Sequence, residues 1–168
     1  MKRIRVLGAA WMLAALLAGC SSSGALFSFS ASSDVTAGLY DDAEQIAGET
    51  DSYTLVRFRQ SIENQQHWTA SAGKMEGMDT LWTLEAEEAA DVEITCTLNV
   101  SSGRLKLVWI DPAGDLTVVA ESDGEMEEPV QSTLHVDSGT CRLKLVAAED
   151  TGFTADLTVS QGEISGIG

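Results

Sequence analysis

From about residue 51 onward the chain alternates between apolar and polar positions. In VEITCTLNV, residues 92–100, Val92, Ile94, Cys96, Leu98 and Val100 share one phase, while Thr95, Thr97 and Asn99 share the other. A period of two with one apolar phase is the pattern of a strand with one face on a core and one in water. SYTLVRFRQ, residues 52–60, predicts a strand of the same kind, and TLWTLEAE from Thr80 predicts another. Two longer stretches echo each other. TLNVSSGRLKLV (97–108) leads on to DLTV at 115–118, and TLHVDSGTCRLKLV (133–146) leads on to DLTV at 156–159. Each copy reads as strand, Ser-Gly turn, strand, Gly-containing turn, strand, which predicts a three-stranded meander. Such a unit cannot bury its apolar face alone. Seven or eight strands therefore predict a mainly β chain folded as an antiparallel two-sheet β-sandwich, jelly-roll-like or Ig-like. Trp82 and Trp109 fall on apolar phases and read as core. Val108 and Ile110 are apolar on the opposite phase, so that strand is expected to be covered on both sides at its end, by a helix or by the N-terminal segment.

Upstream the period lengthens. In residues 33–49, Val35, Leu39, Ala43 and Ile46 fall on one helical face, with Ser33 placed to cap and Gly48 to end the helix. A loop with one strand is the alternative for 34–49. Residues 21–33, SSSGALFSFSASS, are small and serine-rich and read as a spacer.

The first nineteen residues have another pattern. Lys2, Arg3 and Arg5 precede the mostly apolar run VLGAAWMLAALLAG, residues 6–19. A basic start followed by a short apolar run is the layout of a secretory signal, and the run is shorter than the roughly 20 residues of a spanning helix. LAGC, Leu17 to Cys20, resembles the lipobox of bacterial lipoproteins. That resemblance implies cleavage before Cys20, lipidation of Cys20, and an extracytoplasmic protein anchored by lipid to a bacterial membrane. The expected organisation is a signal peptide at 1–19, a lipidated tether at 20–33 and one sandwich domain at 34–168.

Charge narrows the partners. The chain has 10 Lys and Arg against 26 Asp and Glu. Loss of Lys2, Arg3 and Arg5 with the signal leaves seven cations, for a mature net charge of about −19. Such a surface repels phosphates, which argues against nucleic acid; solubility explains the charge equally well, and the expected partner is an extracytoplasmic protein or glycan.

Candidate chemistry is sparse. Cys96 and Cys141 both sit on apolar phases. They form either a disulfide, as an exported setting permits, or two separate buried thiols. The acids Asp111, Asp115, Glu121, Asp123 and Glu125 crowd two loops and offer the hard oxygen ligands that calcium takes. DPAG, residues 111–114, is equally a metal-free turn. No other cofactor is indicated. Tyr53, His67 and Trp68 are the candidates for contact with a glycan or a protein. His135 lies opposite Leu134 and Val136 and is expected in solvent. No nucleophile elbow, HExxH or phosphate loop is present.

Gly114, Asp115 and Leu116, with Gly139, Cys141 and Leu143, carry a family resemblance. The segment 80–160 resembles small bacterial lipoproteins with a jelly-roll-like domain. It is more distantly similar to pre-peptidase C-terminal accessory domains, in which a tyrosine stands where Cys141 stands here. The resemblance implies a non-catalytic, surface-displayed binding or structural module with no assigned ligand. The alternative is a small cell-envelope hydrolase working through carboxylates or His67.

Overall fold

The computed structural model describes residues 38–168. Cys20, the signal and the tether lie outside the described residues. Nine strands occur in order: β1 (Ser52–Val56), β2 (Arg59–Glu63), β3 (His67–Ala86), β4 (Ala90–Ser102), β5 (Leu105–Ile110), β6 (Leu116–Ser122), β7 (Val130–Val136), β8 (Gly139–Val159) and β9 (Glu163–Ile164). All paired strands are antiparallel.

Two strands, β3 and β8, run through both layers of the sandwich. Their outer halves, residues 67–72 and 153–158, pair in the order β2–β3–β8–β4–β7, which we term the open sheet. Their other halves pair with each other, β3 with β1 and β9 on one side and β8 with β5 on the other, and β6 adds to β5, giving the covered sheet. Strands that bend from one sheet into the other are a known way of turning a sandwich corner. The inner faces meet in one core. Trp68, Ala70 and Ala72 of β3, Val92 to Val100 of β4 in alternation, and Phe153, Ala155 and Leu157 of β8 come from the open sheet. Leu105, Leu107 and Trp109 of β5, with Cys141, Leu143 and Leu145 of β8, come from the covered sheet. Trp82 and Trp109 lie with ring centroids 5.3 Å apart, and the Trp82 indole N–H donates to the Gln161 carbonyl at 2.8 Å.

The corner has identifiable causes. Ladder register shifts between Ala72 and Met75 and again before Gly77 in β3. Gly77 has φ +100, and a Cβ there would collide with the Ser52 carbonyl. Asp150 of β8 has φ 55. The buried Thr151 hydroxyl donates to the Arg104 and Ala148 carbonyls, at 3.0 and 2.8 Å, tying the β4–β5 turn to the bend. Arg57, with φ 57, breaks the edge chain at the same line. SYTLVRFRQ is therefore two strands: β1 on the covered sheet and β2 on the open one.

The repeat also folds differently from a meander. β4 and β7, the first strand of each copy, lie in the open sheet, and both RLKLV segments lie in the covered sheet. The chain crosses the sandwich at each Ser-Gly turn instead of folding back. The two RLKLV copies end up as direct neighbours, with Leu107 opposite Leu145, Lys106 opposite Val146 and Val108 opposite Lys144.

A second apolar cluster lies outside the covered sheet. Val108, Ile110, Val146 and Met78 pack there against Leu39, Tyr40 and Ile46. The predicted two-sided burial of Val108 and Ile110 is thus supplied by the N-terminal segment. Its helix is shorter than the sequence suggests: a 3-10 turn (Leu39–Asp41) and then α1 (Ala43–Ala47), with Asp42 accepting the Gln45 N–H at 3.0 Å as the N-cap. Gly48 ends it, and Ala43 faces solvent. Residues 33–37 lie outside the described residues.

Candidate functional site

The sequence candidates do not converge. Trp68 is 1% exposed and donates its indole N–H to Gln60 at 2.9 Å, so it is a core residue. Tyr53 is half-buried against the same core. His67 stays partly exposed on the open sheet, with Nε2 3.3 Å from Asp156 and Nδ1 3.7 Å from Glu63. Its hydrogen bonds among the described residues go to Asp156 alone, so no hydroxyl or thiol is aligned on it as a nucleophile. His135 is exposed and pairs with Asp91 at 2.7 Å.

The acidic loops are separated by the length of β6. Asp111 and Asp115 stand before that strand, and Asp123 and Glu125 stand after it, so about 20 Å of extended chain divides them. Asp111 Oδ1 is occupied by the backbone N–H groups of Ala113 and Asp115, at 2.8 and 2.9 Å, which makes DPAGD a self-capped turn. Glu121 accepts the Tyr40 hydroxyl at 2.8 Å. Among the described residues no three His, Cys, Asp or Glu side chains come together as a metal site. The proposed five-ligand calcium set is therefore not assembled.

Cys96 and Cys141 are free thiols, both buried. One lies in the open sheet and the other in the covered sheet. The two thiols are not bonded to each other. Burial pushes each thiol up to about 11, which leaves both protonated and unreactive at neutral pH.

What the fold does bring together is a cleft of about 710 Å³ at the sandwich corner, on the outer side of the open sheet. Its floor is one row of register partners: Arg59 on β2 opposite Ser71 on β3, Ser71 opposite Thr154 on β8, and Thr154 opposite Asn99 on β4. Arg57, Phe58, Gly73 and Ser101 form the corner end, and Glu125 stands on the rim. Gly73 has a local reason: a Cβ there would lie 3.3 Å from the Arg57 Cβ and Cδ, so its absence lets the Arg57 stem pass over the strand. Glu125 is placed by the loop after β6, which docks on β4 through Val100 N–H to the Gly124 carbonyl at 2.8 Å. Met126 N–H donates to Asn99 Oδ1 at 2.9 Å. That bond orients the Asn99 amide and leaves its NH2 as a free donor.

The electrostatics of this cleft are unusual for the chain. Seven Lys and Arg fall among the described residues. Lys74 pairs with Asp150, Arg104 with Asp41, and Lys144 with Asp51. Lys106 lies 4.4 Å from the Tyr40 ring centroid, and Arg142 donates to the Ala47 and Gly48 carbonyls. Among the described residues only the Arg57 and Arg59 side chains, of all the cations, make no hydrogen bond, ion pair or ring contact, in a protein with 26 acids. The Ser71, Ser101 and Thr154 hydroxyls in the same cleft are also without a partner among the described residues. The signal for this site was visible as R-F-R at 57–59, one of three places outside the first five residues, with R-L-K at 104–106 and 142–144, where two cations fall within three residues. Its meaning depends on which other cations are already engaged, and that is a tertiary fact.

No family model matches the chain, and no curated protein matches it significantly. Among solved structures it is similar to the pre-peptidase C-terminal domain of a Bacillus anthracis collagenase, at 12% identity and a TM-score of 0.38, over 66% of this chain and 89% of that one. It is also similar to a carbohydrate-binding module of Cellvibrio mixtus lichenase 5A in complex with cellotriose, at 8% identity and 0.39, over 70% and 94%. A third is the module TmCBM61 in complex with β-1,4-galactotriose, at 12% identity and 0.37, over 67% and 89%. The pre-peptidase C-terminal type named from the sequence is among these neighbours. The sandwich itself rests on the strand pairing above, not on likeness at these values.

Proposed function

We propose that the chain is a lipid-anchored, surface-displayed binding module whose ligand site is the corner cleft, and that the ligand is a saccharide. The anchor follows from the lipobox-like LAGC ending at Cys20. One observation carries the binding reading: in a chain rich in acids, two arginines remain unpaired beside three unpaired hydroxyls and an oriented amide. Unpaired donors left in a cleft are groups that a ligand can satisfy, and hydroxyl and amide side chains suit a polyhydroxylated partner. The cleft holds a single acid, Glu125, where a glycosidase needs two flanking carboxylates. His67 lies outside it.

Two experiments test this. Replacing Cys20 with serine is expected to abolish palmitate labelling and release the chain from the membrane fraction; unchanged membrane retention would sink the anchor. The full chain in detergent, isotopically labelled, is then titrated with neutral and acidic disaccharides. Saturable shifts confined to the amides of Ser71, Asn99, Ser101 and Thr154 are expected. Shifts elsewhere or none at all would overturn the cleft, and release of monosaccharide would favour the hydrolase instead.

A further inference from the structure

We infer that the cleft selects a saccharide bearing one carboxylate, a uronate in a short oligomer or at a chain end, with the carboxylate held by Arg57 and Arg59. This rests on the saccharide reading above and adds the charge of the ligand to it. A guanidinium presents a planar fork of N–H groups that matches a carboxylate in bidentate geometry. The two arginines occupy one end of the cleft. From Arg59 the floor runs across Ser71 and Thr154 to Asn99, three strand spacings or about 14 Å, which accommodates a disaccharide. The free hydroxyls of Ser71 and Thr154 and the Asn99 NH2 lie along that path and bond sugar hydroxyls.

Two features limit the ligand to a single negative charge. Glu125 stands on the rim and repels a second carboxylate while accepting from a sugar hydroxyl. The net charge of the whole chain, −16, opposes the approach of a long polyanion. Its opposition is screened over about 10 Å at 0.1 M salt, so a short ligand that reaches the arginines directly is penalised least.

The test uses the full chain in detergent with cellobiouronic acid, cellobiose, a tri-uronate and sodium acetate as probes, read by chemical shifts and titration calorimetry. Cellobiouronic acid is expected to bind at least about tenfold more tightly than cellobiose, as charge-assisted hydrogen bonds to one carboxylate would give. It should also outcompete the tri-uronate, with shifts at the Arg57 and Arg59 side chains. The double variant R57A/R59A should lose that preference, and its Tm should stay within about 2 °C of the parent because neither arginine has a protein partner to lose. Equal binding of cellobiouronic acid and cellobiose in the cleft overturns the charge selection and leaves the saccharide site standing. An acid preference that survives R57A/R59A also overturns it. Acetate binding as tightly as cellobiouronic acid overturns the sugar contribution, reducing the cleft to an anion site only. Failure of every probe overturns both readings.

Discussion

The two outer faces of this sandwich use their charges in opposite ways. On the covered sheet every cation has work within the protein, and much of it comes from the RLKLV repeat. In the first copy, Arg104 and Lys106 each stand 4.4 Å from the Tyr40 ring centroid. In the second, Arg142 and Lys144 take the carbonyls of Ala47, Gly48 and Thr50 at the end of α1, and Lys144 adds an ion pair with Asp51 at 2.9 Å. The duplicated pentapeptide is one clamp with two jaws, which grip the start and the end of the same N-terminal segment. On the open sheet the outward phase beside the cleft is Thr, Ser and Asn, its histidines pair with acids, nothing covers it among the described residues, and its two arginines have no partner among them. One face uses its cations in folding; the other leaves two without a partner among the described residues.

The comparison can be broken most severely at Lys144, which is fully buried. Lys144→Ala removes the cationic partner of Asp51 and the Nζ donor to the Thr50 carbonyl, while Arg142 still serves the Gly48 carbonyl. Breaking a buried pair from one side costs about 3–5 kcal/mol. Asp51 keeps some exposure, so we expect a loss near the low end, about 3 kcal/mol by denaturant titration. Saccharide titration of the folded protein should be unchanged, because the clamp and the cleft lie on opposite faces. A cleft variant such as R57A/R59A should do the reverse. If Lys144→Ala abolished saccharide shifts at temperatures where the protein is folded, the two faces would be coupled and the division of labour wrong.

Tyr40→Leu tests the other jaw more gently. It removes the ring that Arg104 and Lys106 approach and the hydroxyl bonded to Glu121, while keeping apolar volume against Val108 and Ile110. We expect about 1–2 kcal/mol, from one hydrogen bond and two cation–π contacts. Asp79 gives an effect of similar size with a pH signature. It is 5% exposed, and burial together with the nearby Asp51 carboxylate raises it to about 6. An acid whose folded value lies above its ordinary 3.8 binds its proton more tightly when folded, so stability falls as pH rises from about 4 to 6. Asp79→Asn keeps the oxygen that accepts the Gly168 N–H and removes the charge. It should raise Tm at pH 7 by an amount worth about 1 kcal/mol, and the gain should vanish by pH 4. A gain independent of pH would mean that the carboxylate is not the source of the strain.

Much of this architecture was legible because burial on one face writes itself as a period of two. The phases of Val92–Val100, the core placement of Trp82 and Trp109, and the second apolar layer at Val108 and Ile110 all followed from it. The corner was not legible. Strands that bend at Gly73, Gly77 and Asp150 lose their alternation there, so β3 reads as an unassigned polar stretch followed by TLWTLEAE. Trp68 was misread for a related reason: its phase mates are Ala70 and Ala72, too small to mark an apolar face between His67, Thr69 and Ser71. Asn64 and Gln65, with φ 53 and 57, form the β2–β3 turn, and only Asn there hints at left-handed backbone. The candidate site was hidden more deeply. An arginine in a sequence carries no mark of being unpaired; that status emerges only after the other five cations have found their partners.

The smallest effect belongs to His135, on the open sheet, and it sharpens the contrast between the faces. A hydrogen bond from its ring to Asp91 raises it above its ordinary 6.5, with Asp91 and Asp137 adding favourable charge. A histidine raised in the folded state stabilises the fold fully below 6.5, and that contribution disappears as pH climbs through the raised value. The direction matches Asp79, but the window lies higher and the cause is a partner rather than burial. The group is exposed and screened, so salt should weaken its shift while leaving that of Asp79 nearly untouched. Proton titration followed by NMR at low and high salt checks this directly. Asp91→Asn should return His135 toward 6.5 with little change in Tm. A His135 titration as indifferent to salt as that of Asp79 would mean that this edge of the open sheet is shielded from solvent, and the open face would then be less open than its exposure implies.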